Sequence, residues 1–405
     1  MSALPATRGE MLRRLSVLIA TAAVDMLGFA MVLPLLPFYA LKLDATPETI
    51  GLLIASFSVA QLATAPLWGR VSDRYGRRPA LMAGLIASAI AYTVFAFADS
   101  VWLLFASRIV QGAGGGTTGV AQAYVADSVG PRDRAQGLGW LSAASSLGVM
   151  LGPVVGSLAT GLGPEAPGLI AAALCVVNVG FAWRWLPESR PPGEHRPRPT
   201  AGVREQIVRI ITQPRGAVPR LIWIYGAGML GFTAMTSVFA LFVEGRFGVS
   251  EQTIGYFFFY VGLLSLLMRS LLLGPIVRRI GERGAMRTGT ILLSVGLAAY
   301  PLAGNLWVLA AVMPLIPVGT ALLFPATTAM ISHATEAADY GTMMGVAQTF
   351  AGAARVIAPL FATSAYQRFG DGMPFYLAGL IVAGVGVLAF RLPDHDAERS
   401  ETPSV

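Results

Sequence analysis

The stretch GRVSDRYGRR, from Gly69 to Arg78, decides the fold of this 405-residue chain. It places two glycines, four arginines and one aspartate between two long apolar runs. Glycine permits a tight turn and a close approach of the flanking segments. The ordered spacing Gly-x3-Asp-Arg-x-Gly-Arg-Arg is much more specific than an arginine-rich loop in general. The stretch therefore predicts a short charged loop between two membrane helices.

The composition around this loop is that of a membrane protein. The chain is 55% hydrophobic and only 13% charged, whereas soluble domains carry about 25% charged residues. A membrane-spanning helix needs about 20 apolar residues. The apolar runs that meet this length are 15–40, 48–69, 79–98, 101–127, 135–160, 167–186, 219–244, 252–277, 285–304, 306–332, 341–366 and 372–391. We therefore expect an all-α membrane protein of twelve transmembrane helices.

The arginines predict the topology. With both termini cytoplasmic, 23 of the 29 basic residues fall on cytoplasmic segments and 3 on outer loops, as the positive-inside rule requires. Although the net charge is +7, the basic residues form short groups between apolar runs, so we exclude nucleic acid as a partner. Residues 187–218 are polar and rich in proline and arginine, which indicates a cytoplasmic linker.

The two halves of the chain repeat each other. A shift of 205 residues places Gly69 on Gly274 and Gly76 on Gly281, and a shift of 206 places Pro153 on Pro359. Such a constant offset indicates internal duplication, and paired halves are typical of carriers. We therefore predict two pseudo-symmetric six-helix bundles, at residues 1–186 and 219–405, joined by the linker.

On these features the whole chain resembles the major facilitator superfamily, whose hallmark loop joins its second and third helices. The resemblance implies that the loop gates the cytoplasmic side, with Arg77 bridging to Asp127 at the end of the fourth helix. The gate residues it implies are Gly69, Asp73, Arg74, Gly76, Arg77, Arg78 and Asp127. In the second copy Arg278 replaces the acid, so that copy is expected to contribute less.

Helix four carries RIVQGAG, from Arg108 to Gly114, which resembles the family's Arg-x-x-Gln-Gly-x-Gly element, linked to proton coupling. An arginine at membrane depth is costly and usually functional. Asp25 in the first helix lies at a similar depth and is the candidate counter-charge. We expect Asp25 to take up and release a proton, with Arg108 tuning its affinity. A permanent structural ion pair is the alternative.

Helix five contains an element that predicts the direction of transport. Its residues Gly148, Gly152, Pro153 and Gly156 resemble the family's antiporter element, although Ser157 replaces its last glycine. The resemblance implies the drug:proton antiporter branch, which includes tetracycline and multidrug exporters. Ordinary small-residue packing is the alternative reading of the motif.

Two alternative functions stay open. One is import of a metabolite or sugar by proton symport, and the other is a sensor or enzyme on the same fold.

Candidate contacts of the substrate lie within the spans. These residues are Gln61, Gln111, Tyr225, Phe232, Gln348 and Arg355. Arg269 is expected to extend to the cytoplasmic interface instead. The three histidines and Cys175 are not spaced as metal ligands, and no catalytic set is present.

The sequence therefore predicts a non-enzymatic transporter that works by alternating access. We expect no metal and no cofactor, since the proton gradient supplies the energy. Its partners are a small amphipathic substrate, protons and the lipid bilayer. We predict a monomer in the cell membrane, with both termini cytoplasmic.

Overall fold

The computed structural model describes residues 8–130, 133–189, 203–213, 216–336 and 339–390. Within these ranges the regular secondary structure is helical, without a strand. The helices before the linker are α1 (Arg8–Val32), α2 (Leu36–Lys42), α3 (Pro47–Tyr75), α4 (Arg77–Ala96), α5 (Val101–Gly115), α6 (Thr118–Ser128), α7 (Arg134–Ala159) and α8 (Ala166–Trp185). The later helices are α9 (Val203–Thr212), α10 (Ala217–Phe247), α11 (Ile254–Leu267), α12 (Leu273–Ala299), α13 (Leu306–Val312), α14 (Leu315–His333), α15 (Tyr340–Phe369) and α16 (Met373–Phe390).

The twelve predicted spans are accounted for by these helices. Ten segments are long and apolar enough to cross a membrane. One of them, Ile254–Leu302, is 49 residues long and is broken at Gly281, where φ is 71°, so it supplies two spans. The fourth span consists of α5 and α6, each too short to cross a bilayer alone. The prediction of an all-α membrane protein is confirmed.

Several spans that the sequence presents as continuous are interrupted. The first breaks between α1 and α2, around Pro34 and Pro37. Proline has no backbone N–H and obstructs the preceding turn, which disrupts a helix. The fourth breaks after a run of three glycines that ends at Gly116, because glycine disfavours the helical interior.

The predicted loop from Gly69 to Arg78 is wrong in its extent. Helix α3 continues to Tyr75 and α4 begins at Arg77, so Gly76 alone separates them. Gly76 has φ of 104°, a value that favours glycine. Arg70, Asp73 and Arg74 lie in the last turns of α3, and Arg77 and Arg78 begin α4, so the motif is helical rather than a loop. Gly281, which maps on Gly76, also has positive φ, so the repeat extends to the backbone.

A second pair of glycine contacts follows the same repeat. In α4 and α5, a Cβ built on Gly84 would lie 3.0 Å from the carbonyl oxygen of Gly114. In α12 and α14, a Cβ built on Gly289 would lie 2.6 Å from the carbonyl oxygen of Gly319. Both pairs are related by the shift of 205 residues. Small residues let membrane helices approach closely, so these crossings depend on glycine in both halves.

The chain forms two compact units. Of the described residues, the first unit takes those within Met1–Pro197 and Ser237–Leu263, and the second takes those within Arg198–Thr236 and Leu264–Val405. The end of α10 and most of α11 thus group with the first unit. The bundle boundaries drawn from the sequence remain a prediction, and residues 190–202 of the linker lie outside the described residues.

Candidate functional site

A buried polar cluster occupies the first unit. It consists of Asp25 on α1, Tyr92 on α4, and Arg108 and Gln111 on α5. The exposed fractions of Arg108 and Tyr92 are 1% each, and that of Gln111 is 2%. Asp25 is partly exposed. Polar groups at membrane depth are costly and usually functional, so this cluster is the first candidate site.

The contacts in the cluster centre on Tyr92. Gln111 Nε2 donates a hydrogen bond to the Tyr92 hydroxyl over 2.6 Å. Asp25 and Arg108 both lie near Tyr92. The Arg108 guanidinium lies 5.8 Å from the ring centroid of Phe95, a cation–π distance. Tyr92 therefore lies between elements that carry the acid, on α1, and the arginine, on α5, and its hydroxyl binds Gln111.

Three hydrogen-bonding atoms of the cluster, on Arg108 and Gln111, lack a partner in the described part of the chain. Nε and Nη2 of Arg108, and Oε1 of Gln111, have no hydrogen-bond partner among the described residues. Buried polar atoms are nearly always hydrogen-bonded, so each exception needs an explanation. The arrangement offers two N–H donors and one carbonyl acceptor to a group that enters the cluster.

The structure records no ion pair between Asp25 and Arg108 across its described residues. The sequence predicted that the two residues lie at a similar depth in the membrane, but depth alone does not show whether their helices are neighbours. Helix α1 packs mainly on α7 and α8, whereas α5 packs mainly on α3 and α4. Tyr92, on α4, was missed by the sequence reasoning; a tyrosine in the middle of an apolar span was the available signal. The coupling role of Asp25 and Arg108 stays a prediction.

A charged cluster joins the ends of α3, α4 and α6. Arg77, with an exposed fraction of 4%, bonds through Nε to Asp127 over 2.9 Å and through Nη1 to Asp73 over 2.6 Å. The Arg77–Asp127 contact implied by the family resemblance is present. Asp73, in the last turn of α3, thus pairs with the first residue of α4. The gating role of this cluster stays a prediction.

Glu188 completes the charged cluster and was not predicted. Its carboxylate accepts hydrogen bonds from the backbone N–H groups of Arg77, over 2.8 Å, and Arg78, over 3.1 Å. These are free donors at the start of α4, where a negative charge is stabilising. The Glu188 carboxylate also packs against Gly76, where a Cβ would lie 2.5 Å from Oε2. Of the other gate candidates, Arg74 stacks on Tyr75 at 5.3 Å, and Gly69 is buried within α3.

The predicted fifth membrane helix is α7 in the structure, and its glycines form its contact with α1. A Cβ on Gly152 would lie 2.6 Å from the Leu27 carbonyl oxygen. Gly148 and Gly156 are equally close to the backbone of α1, and Pro153 lies inside α7. Ser157, the departure from the motif, is buried, and its Oγ accepts a hydrogen bond from Gly255 N at the start of α11 over 2.9 Å. The serine thus binds a free N–H group of a second helix.

The predicted cavity residues are only partly brought together. In the second unit, Gln348 Nε2 donates to the Tyr225 hydroxyl over 3.4 Å. Phe232 on α10 and Arg355 on α15 are partly buried, and no ion pair of Arg355 is found in the described part of the chain. In the first unit, Gln61 donates to the Gly115 carbonyl oxygen over 3.2 Å. Substrate binding by these residues stays a prediction.

Metal binding has no candidate site in the described residues, which hold no group of three or more His, Cys, Asp or Glu that could bind an ion. The absence of a cofactor stays a prediction from the sequence.

The fold and the site together define a class. A multi-spanning helical protein with repeated halves and charged side chains buried in its spans has the architecture of a membrane carrier. Residues 18–316 and 270–404 match the family model Major Facilitator Superfamily. The chain belongs to this superfamily.

Three relatives show how far the similarity extends. The chain is 31% identical to tetracycline resistance protein, class C, of Escherichia coli, over 87% of this chain and 89% of the relative. It is 29% identical to the class B protein of the same organism, over 85% and 86%. Among solved structures, the human organic anion transporter MFSD10 (TETRAN) is 25% identical, with a TM-score of 0.68 over 94% of this chain and 99% of that one.

Proposed function

We propose that this protein exports small amphipathic molecules from the cell in exchange for protons. The similarity to tetracycline resistance proteins, which extends along almost the whole chain, supports export as the direction. The antiporter-like glycines of α7, all in close contact with α1, agree with it.

The observation that carries the proposal is the buried polar cluster. Asp25 is the carboxylate of that cluster, and Tyr92 lies near both Asp25 and Arg108. In the proposed cycle, Asp25 takes a proton from the outside and releases it to the cytoplasm. The open donors of Arg108 stabilise the Asp25 carboxylate when it is charged, either directly or through Tyr92.

The energy of the gradient is sufficient for this task. Moving one elementary charge across 100 mV releases about 2.3 kcal/mol. Because about 1.4 kcal/mol corresponds to a tenfold ratio, one proton exchanged for a neutral substrate sustains a concentration ratio of about fiftyfold at that potential. We further propose that the protein lies in the cell membrane as a monomer with both termini cytoplasmic, as the arginine distribution indicates.

The proposal is tested by substrate efflux from energised cells that produce wild type or Asp25→Asn. Asparagine preserves the shape of the side chain but cannot carry the proton. We expect Asp25→Asn to lose accumulation against a gradient while it retains exchange of substrate at equilibrium. Asp44→Asn is the matched control, because Asp44 is exposed and has φ of 55°, which asparagine tolerates. Full uphill efflux by Asp25→Asn would refute coupling through this residue.

A further inference from the structure

We propose that the second unit contains a binding site for a negatively charged group of the substrate, with Arg269 as the receiving cation. The proposal rests on the proposed export function and names the substrate class: amphipathic molecules that carry a carboxylate or a similar anion.

The local backbone singles out Arg269. It lies in a π-helical segment, Met268–Leu272, between α11 and α12. Such segments insert an extra residue into a helix at a cost in stability and occur frequently at functional sites. The insertion changes the direction in which Arg269 leaves the helix relative to a regular α-helix. Pro275, which follows the segment, cannot donate to the Leu271 carbonyl oxygen and so disrupts the regular helix at this point.

The neighbours of Arg269 are aromatic rings and hydrogen-bond donors. Its guanidinium lies near Tyr225 on α10. The Tyr225 hydroxyl accepts from Gln348 on α15 over 3.4 Å, and its ring lies edge-on to Phe324 on α14, with centroids 5.2 Å apart. We call these four residues the Arg269 cluster. Four elements of one unit therefore contribute to it.

The charge of the cluster is not balanced. The Arg269 side chain is exposed. Among the described carboxylates, none forms an ion pair with it. An unbalanced cation in a membrane span is costly and marks a functional site by default. The guanidinium, the phenol and the amide of the cluster can all donate hydrogen bonds, which is the set that an anion requires. The rings of Tyr225 and Phe324 suit the apolar part of an amphipathic molecule.

The experiment compares efflux of a fluorescent coumarin carboxylate with efflux of its methyl ester. The two probes differ only in charge at one group. We expect Arg269→Gln to reduce carboxylate efflux by at least about tenfold and to leave ester efflux near wild type. Arg269→Lys should retain part of the carboxylate efflux, because it keeps the charge but loses the bidentate geometry. Arg209→Gln, an exposed arginine on α9, is the matched control.

The outcomes separate this site from the general function. Equal loss of both probes in Arg269→Gln would overturn the proposal, because it would indicate a structural role. Unchanged carboxylate efflux would also overturn it. If the export proposal itself fails, wild type moves neither probe uphill, whereas failure of the anion site alone leaves wild-type export of both probes intact.

A second inference follows independently from the internal repeat. In the first unit, Arg77 joins Asp73 and Asp127. Shifts of 205 and 206 residues place these three positions on Glu282, Arg278 and His333. The central arginine becomes glutamate in the second copy, one aspartate becomes arginine, and the other aspartate becomes histidine. The contact itself is preserved: His333 Nδ1 lies 3.2 Å from Glu282 Oε2.

We infer that the Glu282–His333 pair is a proton-dependent latch between α12 and α14. Histidine changes its charge between pH 5 and 8, whereas arginine and aspartate keep their charges throughout that range. The first copy of the contact is therefore permanent, and the second is an ion pair only after His333 binds a proton. The expectation that the second copy contributes less to the gate stays a prediction.

The surroundings of His333 contain charges of both signs. Helix α14 packs against α12, α15 and the π-helical segment. The titratable or charged residues on those elements are Arg269, Arg278, Arg279, Glu282, Arg283, Arg287, Tyr340, Arg355, Tyr366 and Arg368, and the adjoining described chain adds Glu336 and Asp339. Glu282 is the one that an ion pair joins to His333 within the described residues.

The latch is tested by hydrogen exchange of the backbone amides around residues 282 and 333. Because intrinsic exchange depends on pH, the quantity compared is the ratio of exchange rates in Glu282→Gln and wild type at the same pH. We expect Glu282→Gln to exchange about two- to fivefold faster near pH 6 and at the same rate near pH 8.5. In a His333→Lys background the ratio should stay raised at both pH values, because lysine keeps its charge. A ratio that does not change with pH in the wild-type background would overturn the inference.

Discussion

Replacing Gly152 by alanine tests the close packing of α7 on α1, the helix that carries Asp25. A Cβ at this position would lie 2.6 Å from the Leu27 carbonyl oxygen and 2.7 Å from the Ala30 Cβ. Carbon–oxygen contacts are normally about 3.3 Å or longer, and carbon–carbon contacts about 3.5 Å or longer. The two helices must therefore separate by roughly 1 Å at this level, since neither atom can rotate away. Such overpacking costs about 1–3 kcal/mol.

The cost is measurable as a melting temperature. At about 2–4 °C per kcal/mol for a unit of this size, we expect Gly152→Ala to melt about 2–12 °C below wild type. Cys175, the single cysteine of the chain, is fully buried, so reaction with a thiol-specific dye reports unfolding of the purified protein. Efflux should fall in parallel.

The control lies on the same helix. A Cβ on Gly139 would meet nothing within 4 Å, so Gly139→Ala should melt at or slightly above the wild-type temperature, because alanine favours the helix. If Gly152→Ala melts within about 1 °C of Gly139→Ala, the packing argument is refuted.

Two further substitutions test contacts that the structure revealed. Ser157→Ala removes the acceptor of the buried Gly255 N–H group, so it should cost about 1–3 kcal/mol of stability; an unchanged melting temperature in the same dye assay would show that this hydrogen bond is dispensable. Glu188→Gln removes the charge at the start of α4 and should cost about 0.5–2 kcal/mol. Raising the salt concentration should shrink the difference between Glu188→Gln and wild type, and a difference that is insensitive to salt would contradict the electrostatic explanation.

Periodic and repeated features of the sequence translated well into structure. The apolar runs predicted the spans because helix length is set by bilayer thickness. The offset between the two halves predicted that Gly76 and Gly281 would share a role, and both adopt positive φ. The Arg77–Asp127 contact followed from the resemblance to the family. These features depend on local sequence or on motif, so they need no knowledge of lateral helix packing.

Contacts across helices were beyond the sequence. Depth along a helix placed Asp25 and Arg108 at one level, but their helices have different principal neighbours, and Tyr92, which lies near both, was not predicted. Glu188 lies 111 residues from the Arg77 N–H group that it binds, so no local pattern points to it. Pro275 was the available signal for the π-helical segment at Arg269, because proline cannot donate to the carbonyl oxygen four residues earlier.

The most direct test of the central claim measures protons rather than substrate. Purified protein is reconstituted into vesicles that contain a pH indicator, and an outward gradient of the coumarin methyl ester is imposed without any pH gradient. The account predicts that wild type moves protons against the direction of ester flow, and that Asp25→Asn transports ester down its gradient without moving protons. Proton movement in the same direction as the ester, or proton movement that survives in Asp25→Asn, would contradict the account.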